Sequence, residues 1–164
     1  MNFPNAIASG LARVGISVGK PVKDAKRGFT AKQGLWGERK AEEYLMREKK
    51  MKLLGRRVKI SRDEIDLVMV TTDRRVPMVV FVEVKTRSSR LFGGGRGAVD
   101  RRKRHALCRA AVRYMQRMPE MPFRIDIVEV FGSCDVPIEP EIRHYERAVP
   151  MELRYAVVGL RHRH

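Results

Sequence analysis

VVFVEVKTR, residues 79–87, is the stretch that decides the fold. A run this rich in β-branched and aromatic residues suits a pleated, half-buried surface. Side chains two apart share a face of a strand, so Val80, Val82 and Val84 point one way and Phe81, Glu83 and Lys85 the other. The valines belong to a core. Glu83 and Lys85 occupy positions where a second core would want apolar side chains, and a charge taken out of water there is costly unless it is paired or used.

The neighbouring segments share this character. LLGRRVKI (53–60) and EIDLVMV (64–70) read as two further short strands, and TTDRRVP (71–77) as a polar turn, so the three should pair as an antiparallel meander. Regular alternation in the second strand puts Glu64, Asp66 and Val68 on one face, opposite Ile65, Leu67 and Met69. Pairing around the turn then brings Asp66 and Glu83 onto adjacent strands with their carboxylates close. Two crowded carboxylates repel unless a cation lies between them. A hard divalent ion, Mg²⁺ or Mn²⁺, suits such oxygen donors and keeps positions open for water and a substrate phosphate. Asp66 and Glu83 are therefore the candidate metal ligands, with Glu38 and the carbonyl of Val84 as further donors. Lys85 is placed to stabilise charge or position a nucleophilic water.

Helices flank these strands. GLWGERKAEEYLMREKK (34–50) has strong helix formers and an apolar stripe in Trp36, Ala41, Tyr44 and Leu45. Glu38 stands seven residues before Leu45, nearly two full turns, which sets it at the edge of that stripe and toward the sheet. A second helix spans AVDRRKRHALCRAAVRYMQRM (98–118), where Lys103 lies under Leu107, Ala110 and Tyr114, and Cys108 reads as a small core residue. Arg102, Arg109, Arg113 and Arg117 form a separate stripe suited to a phosphate backbone. Arg87 and Arg96, in and beside the glycine-rich loop TRSSRLFGGGRG (86–97), extend that basic surface. FRIDIVEVF (123–131) alternates as a fourth strand, and the helical crossover before it allows parallel pairing. In it, Arg124 and Asp126 read as supporting residues. Beyond Gly132 the pattern weakens, and ELRYAVVGL (152–160) suggests an edge strand.

Charge and length frame the rest. The 164 residues suffice for one domain with its own core, expected over 34–150, between a basic, disordered arm (1–33) and a tail (151–164). Lys and Arg outnumber Asp and Glu by 35 to 19, a net +16, and residues 86–117 hold ten basic side chains against one acidic. Such a surplus attracts phosphate polymers. Cys108 and Cys134 form no CxxC pair and no zinc spacing with the four histidines, so free thiols in a reducing cytoplasm are expected. No apolar run reaches the roughly 20 residues of a membrane span. GGGRG lacks the GK[ST] of a phosphate-binding loop, which removes an NTPase reading.

In GLWGERKAEEYL, EIDLV, FVEVKTR, FGGGRGAVDRRK, RAAVRYM, FRIDIVEV and IRHYERAV, taken in order, the chain resembles the YraN-like family of small bacterial proteins from about Gly34 to Pro150. That family is placed with the restriction-endonuclease-like PD-(D/E)XK nucleases and is similar to archaeal Holliday-junction resolvases. The resemblance implies an α/β fold with an αβββαβ core, a central mixed sheet flanked by helices. It carries the family motif onto Glu38, Asp66, Glu83 and Lys85, with Lys103 as a helix lysine. It further implies branched or structured DNA as substrate, a homodimer for symmetric cutting, and partners among DNA-repair or recombination proteins. Two positions depart from the family pattern: Asp63 replaces a usual Gly before EIDL, and the FG segment is glycine-rich where a proline is common.

Three functions follow as expectations: a Mg²⁺-dependent endonuclease, a non-catalytic nucleic-acid-binding module on the same fold, or an RNA- or ribosome-associated basic protein. Glu83 and Lys85 alone read equally well as an edge-strand ion pair; Asp66 and the two helices tip the balance toward a site.

Overall fold

The computed structural model describes residues 29–73, 75–87, 99–118, 120–151 and 155. The elements run α1 (Phe29–Arg47), β1 (Lys52–Ile60), β2 (Asp63–Asp73), β3 (Val76–Arg87), α2 (Arg101–Met115), β4 (Phe123–Phe131) and β5 (Glu141–Tyr145). The strands form one sheet in the order β1-β2-β3-β4-β5. β1, β2 and β3 make the antiparallel meander, β4 pairs parallel to β3 after the α2 crossover, and β5 returns antiparallel along β4. This mixed α+β architecture is compatible with a restriction-endonuclease-like fold.

The sheet lies between the two helices, with an apolar layer on each face. Ala41 and Leu45 of α1 pack on Leu67, Met69, Val80, Val82, Val84, Val128 and Val130, with Trp36 and Tyr44 at the margin. Leu107, Cys108, Ala110, Ala111 and Tyr114 of α2 pack on the opposite face against Val58, Ile65, Val68, Phe81, Ile125 and Ile127. Phe81 stands edge-on to both Tyr114 and Phe123, at centroid separations of 5.3 and 5.7 Å, geometries that add about 1 kcal/mol each beyond burial. The split of the 79–84 run between two layers is as its period-two pattern requires.

Several boundaries differ from expectation. α1 begins at Phe29, so residues 29–33 are helix rather than arm. Asp73 pairs directly with Val76, which leaves a two-residue turn; Thr71 and Thr72 sit in β2, where β-branched side chains fit well. The edge strand is EIRHY at 141–145; the stretch expected to supply it, 152–160, lies outside the described residues apart from Tyr155, as do residues 1–28 and the glycine-rich segment 88–98.

The alternation expected for EIDLVMV does not hold. Ile65 and Leu67 are two apart yet lie in opposite layers. The same slip occurs in the partner strand: Arg56 reaches Glu42 of α1, whereas Val58 sits in the α2-side core. Between them Arg57 has φ 47°, left-handed and strained for a residue with a Cβ. The pairs Arg56–Leu67 and Val58–Ile65 flank the slip, which leaves Arg57 and Asp66 facing one another where both strands change phase.

Candidate active site at a fork in the sheet

The register places a fork at Asp66 and Glu83. β2 pairs with β3 from Leu67–Val82 out to Asp73–Val76, but residues 63–65 pair only with β1, Asp66 has no partner in either register, and 83–87 pair only with β4. Past Leu67 and Val82 the sheet therefore divides into two prongs, the β1–β2 hairpin end and the β3–β4 end. At the crotch Asp66 Oδ2 accepts a hydrogen bond from the Val84 N–H at 2.7 Å, in place of a backbone partner. The phase slip that upsets simple alternation is what turns this carboxylate to the junction.

Both helices brace the two prongs. On one face Lys103 of α2 reaches Glu83 on the β3 prong, with Nζ 2.9 Å from Oε2. Two turns later Arg109 holds Asp63 on the hairpin prong through two bonds of 2.8 and 2.7 Å. On the other face Gly37 of α1 lies against Thr86 so closely that a Cβ would overlap Thr86 Oγ1 and come 2.9 Å from its Cβ, so no larger residue fits. Glu38 and Glu42, on the next turn, meet Arg57 and Arg56 of β1.

Four carboxylates and three cations gather at the crotch. Glu83 is nearly fully buried; its Oε1 accepts from Lys85 Nζ at 2.7 Å. Its Oε2 lies against Lys103 Nζ at 2.9 Å, so two ammonium groups flank the one carboxylate. Glu64 lies 3.2 Å from Arg57 Nε, and Glu38 stands 3.9 Å from the same atom. Burial pushes Asp66 up to about 7, aided by the charges of Glu83 and Glu38 and opposed by the Val84 N–H and Lys103. Burial works to lower Lys103, but the ion pair with Glu83 and the charges of Asp66 and Glu64 outweigh it and raise the pKa. With all groups ionised the cluster holds one more negative than positive charge.

The structure thus brings Asp66, Glu83, Lys85 and Lys103 together, with Glu38 in electrostatic reach but facing Arg57. Among the described residues no three His, Cys, Asp or Glu side chains stand together as a ready-made metal-binding group. The basic residues divide. Arg102 and Arg113 are exposed on α2. Arg109 is occupied by Asp63, a partner that a helical stripe alone does not reveal, and through it braces the hairpin prong. Arg87 lies 3.0 Å from Glu129, which has no exposed surface. Arg96 lies outside the described residues.

A second polar cluster sits beside the α1 layer, away from the crotch. Asp126, with no exposed surface, accepts from Arg124 Nε at 3.1 Å and from the Arg147 N–H at 2.9 Å, and lies 2.8 Å from His144 Nε2. It ties β4 to β5 and to the turn after it, the structural role expected of Arg124 and Asp126. Sequence reasoning missed Arg57, Asp63, Gly37 and His144. Asp63 alone carried a signal, as the departure from a usual glycine.

No helix among the described residues is long and apolar enough to cross a membrane. Relatives place the chain. A UPF0102 protein of Syntrophomonas wolfei is 40% identical over 99 residues, 59% of this chain and 82% of the relative. One from Rhodopirellula baltica is 34% identical over 120 residues, 72% and 70% of the two chains; one from Syntrophotalea carbinolica is 34% identical over 121 residues, 73% and 92%. Residues 37–130, from the glycine against Thr86 to the end of β4, match the model of the uncharacterised protein family UPF0102, and the chain belongs to that family, the YraN-like proteins.

Proposed function

We propose that the fork is the site of a metal-dependent endonuclease that cleaves structured or branched DNA. The observation that carries this reading is the meeting of Asp66 and Glu83, from strands that part at that point, beside the ammonium groups of Lys85 and Lys103. The donor set fits a hard divalent cation: two carboxylates side by side, with the charge of Glu83 and burial opposing the ionisation of Asp66. Asp66 and Glu83 would hold Mg²⁺ or Mn²⁺, with Glu38 and the Val84 carbonyl as further oxygen donors. When bound, such an ion lowers the pKa of water and neutralises charge on a phosphate.

The remaining roles belong to the chain itself. Lys85, fixed by Glu83, is held at the crotch to face charge that develops on a phosphate oxygen. Lys103 is the second ammonium, held against the other Glu83 oxygen and placed to meet a substrate phosphate. Exposed Arg102 and Arg113 contact the backbone on either side. Symmetric cutting of a branched substrate requires two such sites, hence a homodimer, working in the cytoplasm alongside DNA-repair or recombination proteins.

The test is incubation with four-way junctions, flaps and plain duplex in Mg²⁺ or Mn²⁺. Cleavage that disappears in both Asp66→Asn and Glu83→Gln supports the reading; no cleavage on any substrate sinks it. A second reading, a binding module without catalysis, is favoured by one feature: two lysines already balance Glu83 without any added ion. It gains if calorimetry with DNA present shows no Mg²⁺ or Mn²⁺ uptake while junction binding survives Asp66→Ala.

A further inference from the structure

We infer that the β1–β2 hairpin end, residues 57–66, is a DNA-contacting prong, with Arg62 and Lys59 as its phosphate contacts. This rests on the nucleic-acid reading of the fork but not on cleavage. Beyond Leu67 the hairpin has no sheet neighbour except its own partner strand, so it projects beside the crotch. Its acids are withdrawn: Asp63 is buried against Arg109, Glu64 faces Arg57, and Asp66 is turned to the Val84 N–H. Its exposed charges are Lys59 and Arg62 alone, and neither has an ion-pair partner among the described residues.

The brace sets where those cations point. Arg102, Arg109 and Arg113 lie on one face of α2, at spacings of seven and four residues. Arg109 pins Asp63 by its two bonds, which fixes the hairpin turn that carries exposed Arg62, the residue before Asp63, close to α2. Val58 and Ile60 face the α2-side core, which puts Lys59 on the other face of the prong. Cations thus stand at the tip and along one face of an arm flanking the carboxylate cluster. A polyanion with phosphates on either side of the crotch is the complement, and a duplex backbone provides that spacing of charge.

The test uses the full chain in EDTA, with binding to a fluorescein-labelled duplex DNA read by anisotropy over a salt series. Lys59→Gln with Arg62→Gln should weaken binding about tenfold and lower the slope of log K against log salt by about 2, the counterion release of two phosphate contacts. A matched pair, Lys52→Gln with Arg75→Asn, removes the same charge toward the other end of the meander, each more than about 20 Å away along the strands, and should leave the slope unchanged. Unaltered thermal midpoints confirm that all variants fold. Equal effects from the two pairs, no effect from the hairpin pair, or no binding by the parent chain would each overturn the proposal. So would a duplex RNA that competes tenfold better than DNA. Because the readout is metal-free, loss of cleavage in Asp66→Asn with anisotropy intact, or absence of cleavage altogether, bears on catalysis alone.

Discussion

Asp66 binds its proton more tightly in the folded chain than in the unfolded one, because burial and the charge of Glu83 both oppose its ionisation. The folded pKa is about 7 against an ordinary 3.8. Well below pH 3.8 both states hold the proton and the group has no effect on stability. As pH rises toward 7 the unfolded chain ionises first, so stability falls, and the full cost persists above 7. Replacing the carboxyl by an amide of the same shape removes that cost. Asp66→Asn should therefore be more stable than the parent at pH 8 without metal, by about 1 to 3 kcal/mol once partial exposure is allowed for. At pH 3 the two should be nearly equal; urea unfolding at both pH values measures it, and a variant less stable at pH 8 would contradict the electrostatics described. Glu83 and Lys85 were legible in the sequence because period-two alternation is a geometric property of any regular strand. Arg57 was not, since a left-handed φ is signalled by Gly or Asn and an arginine there carries no mark.

The elements are held to one another by contacts that single out each prong of the fork. Arg109→Ala would leave the Asp63 carboxylate, 6% exposed, without its bidentate partner. Stranding a buried charge costs about 3 kcal/mol, and Asp63→Ala with Arg109→Ala should be less destabilised than Arg109→Ala alone, a comparison that denaturant unfolding makes directly. Gly37→Ala on α1 should cost about 1 to 3 kcal/mol, because α1 must move off Thr86 or Thr86 must leave its place in β3. Thr86→Ala removes the overlapping hydroxyl and should restore part of the loss when combined with Gly37→Ala; no recovery would show that the close approach lies elsewhere. The helices and four strands were readable from apolar periodicity, and Glu38 from its two-turn relation to Leu45. β5 was not, because EIRHY is half charged and lies between prolines, and its place depends on Asp126, which binds His144 across 18 residues of sequence. The meander turn looked longer than it is because Thr71, Thr72 and Asp73 are polar, although β-branched threonines sit comfortably in a strand.

At the scale of the whole molecule, the proposed cation site would make metal binding and folding stability a single measurement. A cation that binds only the folded chain stabilises it in proportion to the logarithm of its excess over Kd, about 2.7 kcal/mol at a hundredfold excess. The ion must compete with Lys103 and Lys85 for Glu83 and with a proton for Asp66, so the gain should be larger at pH 8 than at pH 6. Mg²⁺ or Mn²⁺ should therefore raise the melting temperature of the parent chain above that in NaCl of equal ionic strength. Because the chain carries a net +16, the matched salt is essential: screening of its self-repulsion would otherwise stabilise every variant alike. Glu83→Gln and Asp66→Asn should each lose the metal-specific part of the rise and keep the salt-dependent part. Differential scanning calorimetry with the two salts separates these contributions, and an equal metal-specific rise in parent and both variants would remove the fork as the cation's binding place.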